Sequence, residues 1–313
     1  MKFLENSGTF ESADGKTTIH YIELKNGSIE SYKGVVVCVH GIGEHKKRRM
    51  YMMQQLVEKG YVVFSYDCIG HGESVAEGNT KMYFSKWDFV VKDFQEMCNL
   101  TKEKYSNIPC FAFGFSMGSF IVRTAITKEY SAESKILDGA IFAGTGALSP
   151  FVAKIMAKIV NKIALRSGGE DKETEIVNRL AFDTYLDKIK DKNKNKASWL
   201  YITPSAQEDY LNDELTQKFI TPGMFRELLL GMAITNNFKN IKDSKKMPIL
   251  IISGDEDPVG EFGKGVIKIS KIYEKNFEDV TTRLFINGRH AFLDEDETAI
   301  NCICNWLDER IKR

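Results

Sequence analysis

The sequence predicts an α/β protein: a mostly parallel central sheet flanked by helices, with a helical segment inserted between sheet elements. Three observations predict it. Short continuous apolar runs (VVVCV at 35–39, YVVFSY at 61–66, ILII at 249–252) read as strands buried on both faces. Stretches with apolar residues at helical spacing alternate with them, and such alternation means crossovers between parallel strands. Between about 146 and 226 the alternation stops, and the chain turns helical and Lys-rich.

The elements follow in order. Residues 8–14 and 16–24 flank Asp14-Gly15, a hairpin signal. After the strand at 35–39, residues 51–59 read as a helix ended by Gly60, and 61–66 as the next strand. Residues 87–104 carry apolar side chains at 87, 90, 91, 94, 97 and 100, one face of a helix. Pro109 opens the apolar run 110–113, which leads into Gly114. In the inserted segment Phe151, Ile155, Met156, Ile159, Val160 and Ile163 form a helical stripe. Such a stripe is expected to pack the insertion onto the body; lining an acyl tunnel or touching a lipid surface are the alternatives. Residues 191–196 (DKNKNK) read as an exposed loop. The sheet pattern then returns, with a strand at 249–252, a helix at 266–273, a strand at 281–286 and a closing helix at 298–311. The expected division is 1–145 for the first part of the core, 146–226 for a helical cap and 227–313 for the second part of the core.

Composition narrows the function classes. Lys and Arg number 43, as do Asp and Glu, so the formal net charge is zero. A nucleic-acid binder carries a basic excess, and this balance argues against that partner. The basic run Lys46-Lys47-Arg48-Arg49 reads as a solvated helix start. The N-terminus lacks the apolar stretch of a secretory signal, and no run reaches the roughly 18 apolar residues of a membrane span. The six cysteines fit no zinc spacing and mostly fall in apolar runs. Buried thiols in a reducing cytoplasm are the expectation. Nothing in the sequence addresses oligomeric state.

Gly114-Phe115-Ser116-Met117-Gly118 is a G-x-S-x-G motif. Chance alone produces it in about one chain in ten of this length, so the bare pattern is weak. Its setting strengthens it: an apolar strand precedes it and a helical run follows. The bland reading is a tight strand–helix turn with an incidental serine. A serine hydroxyl attacks only when a base takes its proton. Where this motif is a nucleophile turn, the acid and then the histidine follow the serine in the chain. Of the five histidines only His290 lies after Ser116. A histidine base must be neutral, so activity is expected to fall as pH drops through the ordinary imidazole range. The acid must orient that histidine. Asp255, Glu256 and Asp257 all follow the ILII strand; Asp257 is favoured because Pro258 fixes the chain direction after it. Oxyanion donors are expected at the N–H of Met117, next after the nucleophile, and of Ile42, in the loop after an early strand. Gly41 and Gly43 let that loop approach a substrate. His40, His45 and Glu44 could be read as metal ligands, but their spacing is not H-E-x-x-H. The segment 67–74 reads as a structural loop beside the site, and Cys68 has no base placed for it.

HGIGEH at 40–45 with Arg48, DCIGHGES at 67–74, GFSMGS at 114–119, GDEDPVG at 254–260 and GRHAFLDE at 288–295 occur in one order. Together they resemble the monoacylglycerol lipase and lysophospholipase group of α/β-hydrolases, also called serine aminopeptidase S33-like hydrolases. Ser198-Trp199-Leu200 and 221–225 (TPGMF) look like cap-end segments of bacterial members. The resemblance covers about residues 10–310. It implies Ser116 as nucleophile, Asp257 as acid, His290 as base and Ile42 and Met117 as oxyanion donors. His40, Gly41, Gly43, Gly114 and Gly118 support the loops. It implies neither metal nor organic cofactor. Three positions depart from the common pattern. Phe115 stands where many members carry His, Ile69 where many carry Arg, and Arg49 where Tyr is common. None removes a reacting group.

The leading expectation is hydrolysis of a carboxylic ester, a monoacylglycerol, lysophospholipid or related small-molecule or lipid ester, with transient lipid contact through the cap. A second reading is an aminopeptidase or amide hydrolase with the same triad, for which Glu208 and Asp209 are candidate pocket acids. A third is a non-catalytic binding protein on a hydrolase fold.

Overall fold

The computed structural model describes residues 2–130 and 136–311. Its sheet has the strand order β1-β2-β4-β3-β5-β6-β7-β8. The first two strands, β1 (Phe3–Glu11) and β2 (Thr18–Asn26), form the antiparallel hairpin around Gly15, and β2 runs antiparallel to β4 (Tyr61–Tyr66). From β4 onward every neighbouring pair is parallel: β3 (Gly34–Val39), β5 (Cys110–Phe115), β6 (Gly139–Ala143), β7 (Ile249–Gly254) and β8 (Val280–Phe285). The strands from β3 to β7 are buried at every residue, as their unbroken apolar runs require. The edge strand β8 is only partly covered.

Side chains alternate between two cores. Val35, Val37, Phe64 and Ala112 face one, closed by α2 (Trp87–Lys104), α3 (Met117–Ala125) and α10 (Lys264–Glu274). Val36, Cys38, Val63 and Phe113 face the other, closed by α1 (Met50–Glu58) and α11 (Glu297–Ile311). The strand β6 was not anticipated. Three of its five residues, GAIFA, are Gly or Ala, which are depleted in strands, and the run is short. Pairing with β5 and β7 on both sides forms it.

Between β6 and β7 lies the inserted helical segment. It contains α4 (Pro150–Arg166), the short α5 (Glu175–Asn178) and α6 (Thr184–Leu186) joined by a π-helical turn at Arg179–Asp183, α7 (Pro204–Asn212), α8 (Pro222–Thr235) and α9 (Phe238–Lys242). The expected boundary at 226 falls inside α8, which packs along α4 on one side and against α3 on the other. Buried Arg123 of α3 ties the junction together. It donates to Thr145 Oγ1 at 3.0 Å, to the carbonyl of Thr235 at 3.0 Å and to Asn236 Oδ1 at 2.7 Å.

Two sequence expectations need correction. The run 46–49 is not a solvated helix start. Lys47 is exposed, but Lys46 and Arg49 are buried, paired with Asp67 and with Glu44. Asp67 lies on another loop and Glu44 meets Arg49 only through the folding of their shared loop, which a local pattern does not reveal. The stripe on α4 also divides. Val160 is buried and Met156 and Ile163 are partly covered, whereas Phe151, Ile155 and Ile159 stand 72%, 42% and 49% exposed. Packing onto the body therefore accounts for only part of the stripe.

Asp93 on α2 gives a pH-dependent stability. Buried under the hairpin turn, it accepts from Ser12 Oγ at 2.8 Å and from the Ala13 N–H at 2.7 Å. Burial outweighs these donors and pushes the carboxyl up from 3.8 to about 7. The folded state thus holds this proton more tightly than the unfolded chain. Its contribution is full below the unfolded value and is lost as pH rises through about 7. Asparagine keeps an acceptor for Ala13 and a donor for Ser12. Asp93→Asn is expected to raise the thermal midpoint by a few degrees at pH 8 and by much less at pH 5. Calorimetry at the two pH values checks it, and an advantage larger at pH 5 contradicts it.

Candidate active site

The strand β5 ends in a sharp turn, and Ser116 sits on it at φ 51°, ψ −116°. A non-glycine residue there costs about 1–3 kcal/mol and persists only where the surroundings enforce it. They do so by close backbone approach. A Cβ on Gly114 would lie 2.4 Å from the carbonyl oxygen of Gly118, and one on Gly118 would lie 2.2 Å from that of Val39. Both positions of the motif are therefore glycine for lack of space. The Ser116 N–H donates to the carbonyl of Ala143 on β6 at 2.9 Å. The turn leaves Oγ at the N-terminus of α3, where the helix dipole favours negative charge.

His290 reaches Ser116 from the loop after β8. Its Nε2 lies 2.8 Å from Ser116 Oγ and its Nδ1 lies 2.9 Å from Asp257 Oδ2. A proton on Nδ1 leaves Nε2 free to accept from the serine hydroxyl. Asp257, in the turn after β7, is fully buried. Ser253 Oγ donates to its Oδ2 at 3.0 Å and the Val259 N–H to its Oδ1 at 2.8 Å, so the carboxylate is fixed from both ends. Of the three acids in that turn, only Asp257 meets the histidine ring. Glu256 points toward Arg289 and its side chain is half exposed, while the Asp255 N–H continues the β7–β8 pairing by donating to Phe285.

The loop after β3 carries His40, Gly41, Ile42 and Gly43. His40 accepts from the Cys68 N–H at Nε2, 3.0 Å, and its Nδ1 lies 2.7 Å from the Gly41 carbonyl. Burial lowers its pKa, so it serves as a neutral pin between the 40s loop and the 67–74 loop. Asp67 completes that link. It accepts from the Lys46 N–H at 2.7 Å, from Lys46 Nζ at 2.6 Å and from the Glu73 N–H at 2.9 Å. The reading of 67–74 as a structural loop agrees with this. Burial pushes the Cys68 thiol well up, which suits packing and not nucleophilic attack. His45 Nε2 meets Asp213 at 2.9 Å, whereas His40 Nε2 meets the Cys68 N–H. Among the described residues no group of three or more His, Cys, Asp or Glu could hold a metal ion.

Ser116, Met117 and Ile42 are among the residues lining an apolar cavity of about 290 Å³. The inserted segment contributes Met156, Leu180, Phe225, Leu229 and Met232 to its lining. A polar cavity of about 530 Å³, lined by Glu175, Arg179, Asp183, Lys196 and Lys218, lies beyond Phe182 and Trp199, which wall both spaces. Trp199 stacks on the His290 ring at 5.2 Å between centroids, and Phe115 packs on it at 5.0 Å. Sequence reasoning did not assign Trp199, Phe182 or Tyr185 to the site. Nothing local distinguishes them from core aromatics, because their role comes from 199 and 290 meeting across the fold. The candidate acids of the insertion fall elsewhere: Glu208 and Asp209 are exposed, and Asp209 pairs with Arg48.

Parallel strands that deliver Ser116, Asp257 and His290 from the carboxyl ends of β5, β7 and β8 are the arrangement of an α/β-hydrolase. The profile of the serine aminopeptidase S33 family matches residues 30–297. The chain belongs to that family. A monoacylglycerol lipase of Mycolicibacterium smegmatis is 22% identical over 280 residues, 88% of each chain. A monoglyceride lipase of Saccharomyces cerevisiae is 24% identical over an aligned length of 327, covering 96% of this chain and 92% of its own. Among solved structures, a thermostable carboxyl esterase from Bacillus coagulans matches with a TM-score of 0.85 at 24% identity over 99% of both chains. A soluble variant of the Saccharomyces cerevisiae monoglyceride lipase in complex with a substrate analog matches at 0.76 and 18% identity, covering 97% of this chain and 94% of that one. At these identities the structures share the fold.

Proposed function

We propose that this chain is a carboxylic ester hydrolase acting on monoacylglycerols, lysophospholipids or related acyl esters through an acyl-enzyme. The observation that carries the reading is the continuous Asp257–His290–Ser116 hydrogen-bonded chain opening on an apolar cavity. The acyl chain lies in that cavity, between α3 and the inserted helices, which we read as a cap. Ser116 Oγ attacks the ester carbonyl while His290 Nε2 takes its proton. The oxyanion is held by the N–H groups of Ile42 and Met117. The imidazolium, steadied by Asp257, then protonates the leaving alcohol on the side of Phe182 and Trp199. Water, activated by the same histidine, releases the acid. No step calls for a metal or organic cofactor.

The amide reading has less support. An aminopeptidase needs an acid for the free amine; Glu208 and Asp209 do not line the cavity, and Glu261, the one carboxylate among the described residues that does, stands among mostly apolar walls. A non-catalytic role leaves the strained, hydrogen-bonded serine without a purpose. Parallel assays on p-nitrophenyl esters of graded acyl length and on aminoacyl-anilides separate the readings. Turnover and fluorophosphonate labelling with the esters are expected. Turnover of the anilides alone would transfer the assignment to the amide class.

The outward face of α4 supports contact with lipid. Phe151, Val152, Ile155 and Ile159 are exposed there beside exposed Lys154, Lys158 and Lys162, the pattern of an interfacial helix. Among the described residues no helix is long and apolar enough to cross a membrane. Ile155→Asp is expected to lower hydrolysis of vesicle-borne monoacylglycerol several-fold and to leave turnover of a water-soluble ester within about twofold. Equal loss on both substrates contradicts a surface role. The six cysteines are free, five of them buried, which fits a reducing compartment such as the cytoplasm.

A further inference from the structure

Arg49 is buried at the N-terminus of α1, where its guanidinium touches three separate parts of the site. Its Nη1 donates to Glu44 Oε2 at 2.7 Å, and the same oxygen accepts the Gly41 N–H at 2.8 Å, one residue before Ile42. Its Cζ lies 3.4 Å from the ring centroid of Phe115, the residue before Ser116. Its Nε lies 3.9 Å from Asp294 Oδ1, in the short turn that follows His290. Phe115 in turn packs on the His290 ring and against Gly41, where an added Cβ would come within 2.9 Å of the Phe115 ring. Tyr201 holds the other oxygen of Asp294 at 2.8 Å.

We propose that Arg49 is a positioning residue that fixes the oxyanion loop, the nucleophile turn and the histidine loop relative to one another. The inference rests on the ester-hydrolase reading of the site. Burying a guanidinium is costly, and Arg49 Nε and Nη2 form no hydrogen bond among the described residues. Hydrogen bonding alone therefore does not account for its place. A flat cation stacked on Phe115 does, since the stack uses the ring face while the edge reaches Glu44. Without the cation, Glu44 becomes an unpaired buried carboxylate. The loop that presents the Ile42 N–H then loses its hold, and Phe115 loses the surface that seats it against His290. The acyl cavity does not include Arg49 among its walls, so substrate binding is spared.

Arg49→Met keeps the apolar stem and removes charge and donors. With a p-nitrophenyl ester, kcat is expected to fall tenfold or more on the order of one lost transition-state hydrogen bond, with KM within about twofold. The rate of fluorophosphonate labelling should fall by the same factor. Arg49→Lys restores the partner of Glu44 and should recover part of kcat; Phe115→Leu keeps the ion pair, removes the stack and should lose an intermediate amount. Proton NMR of the His290 Nδ1–H, shared with Asp257, is a second readout that needs no turnover: its resonance should move or broaden in Arg49→Met and return in Arg49→Lys. Folded Arg49→Met with wild-type kcat and an unchanged resonance overturns the proposal. If that variant does not fold, Arg49→Lys and Phe115→Leu both within twofold of wild type overturn it. Wild-type protein inert toward esters and fluorophosphonate instead overturns the ester-hydrolase reading, and the resonance then decides Arg49.

Discussion

Ser116→Ala is expected to lower kcat/KM on esters by about 10⁴-fold or more and to abolish fluorophosphonate labelling. The hydroxyl removed is the group that His290 Nε2 contacts at 2.8 Å. No neighbour can replace it. Ser119, the nearest serine along the chain, points its Oγ back to the Ser116 carbonyl at 2.6 Å, and Cys68 is buried with its thiol held protonated. The backbone at 116 remains at positive φ in the variant, because Gly114, Gly118 and Ala143 enforce the turn without help from the hydroxyl. The thermal midpoint is therefore expected to stay within a few degrees of wild type. Single-turnover kinetics with an activated ester checks the result. Residual labelling at a comparable rate would move the nucleophile elsewhere.

Asp257→Asn is expected to cost about 10⁴-fold in kcat with KM little changed. The reason is tautomeric. Asp257 accepts from three donors, the His290 Nδ1–H, Ser253 Oγ and the Val259 N–H. An asparagine keeps its oxygen toward the fixed Val259 N–H and turns its amide N–H₂ toward the ring. His290 must then carry its proton on Nε2, where it cannot accept from Ser116. Ser253 can rotate to accept instead of donating, so the fold tolerates the change. Asp255→Asn and Glu256→Gln are expected to stay within a few-fold of wild type, since neither side chain meets the ring. Steady-state kinetics of the three variants side by side checks the assignment, and a large loss in either of the last two would shift the acid to that position.

Much of this site was legible in the sequence because its signals are short-range. G-x-S-x-G between an apolar run and a helix describes one turn, and the turn is made by backbone contacts among residues 114–119 and the end of β3. A single histidine after residue 116 left one candidate base. The acid was only partly legible. Asp255, Glu256 and Asp257 have the same chemistry within one turn, and what separates them is the direction in which each leaves the backbone. The aromatic wall at Trp199 and Phe182 was not legible, because an aromatic residue in a helical insertion has the same local pattern whether it packs a core or a reacting histidine. The basic run at 46–49 misled for the same reason. Charge density favours solvent until a buried partner is known: Glu44 is a partner from the same loop, while Asp67 and Asp294 become neighbours only when other loops meet it.

By itself the sequence determined the parallel sheet, the helical interruption after the G-x-S-x-G turn and which serine and histidine stand as the candidates for the site. Each depends on periodicity or turn chemistry within a few residues. The tertiary structure alone decided which carboxylate faces His290, that Arg49 lies under Phe115, and which face of α4 meets the body and which is exposed. Those are relations between segments tens to hundreds of residues apart, set by the sheet order and by burial. Ser116 was thus singled out by its own turn, while the hydrogen bonds that join it to His290 and Asp257 came from β7, β8 and the loops they carry.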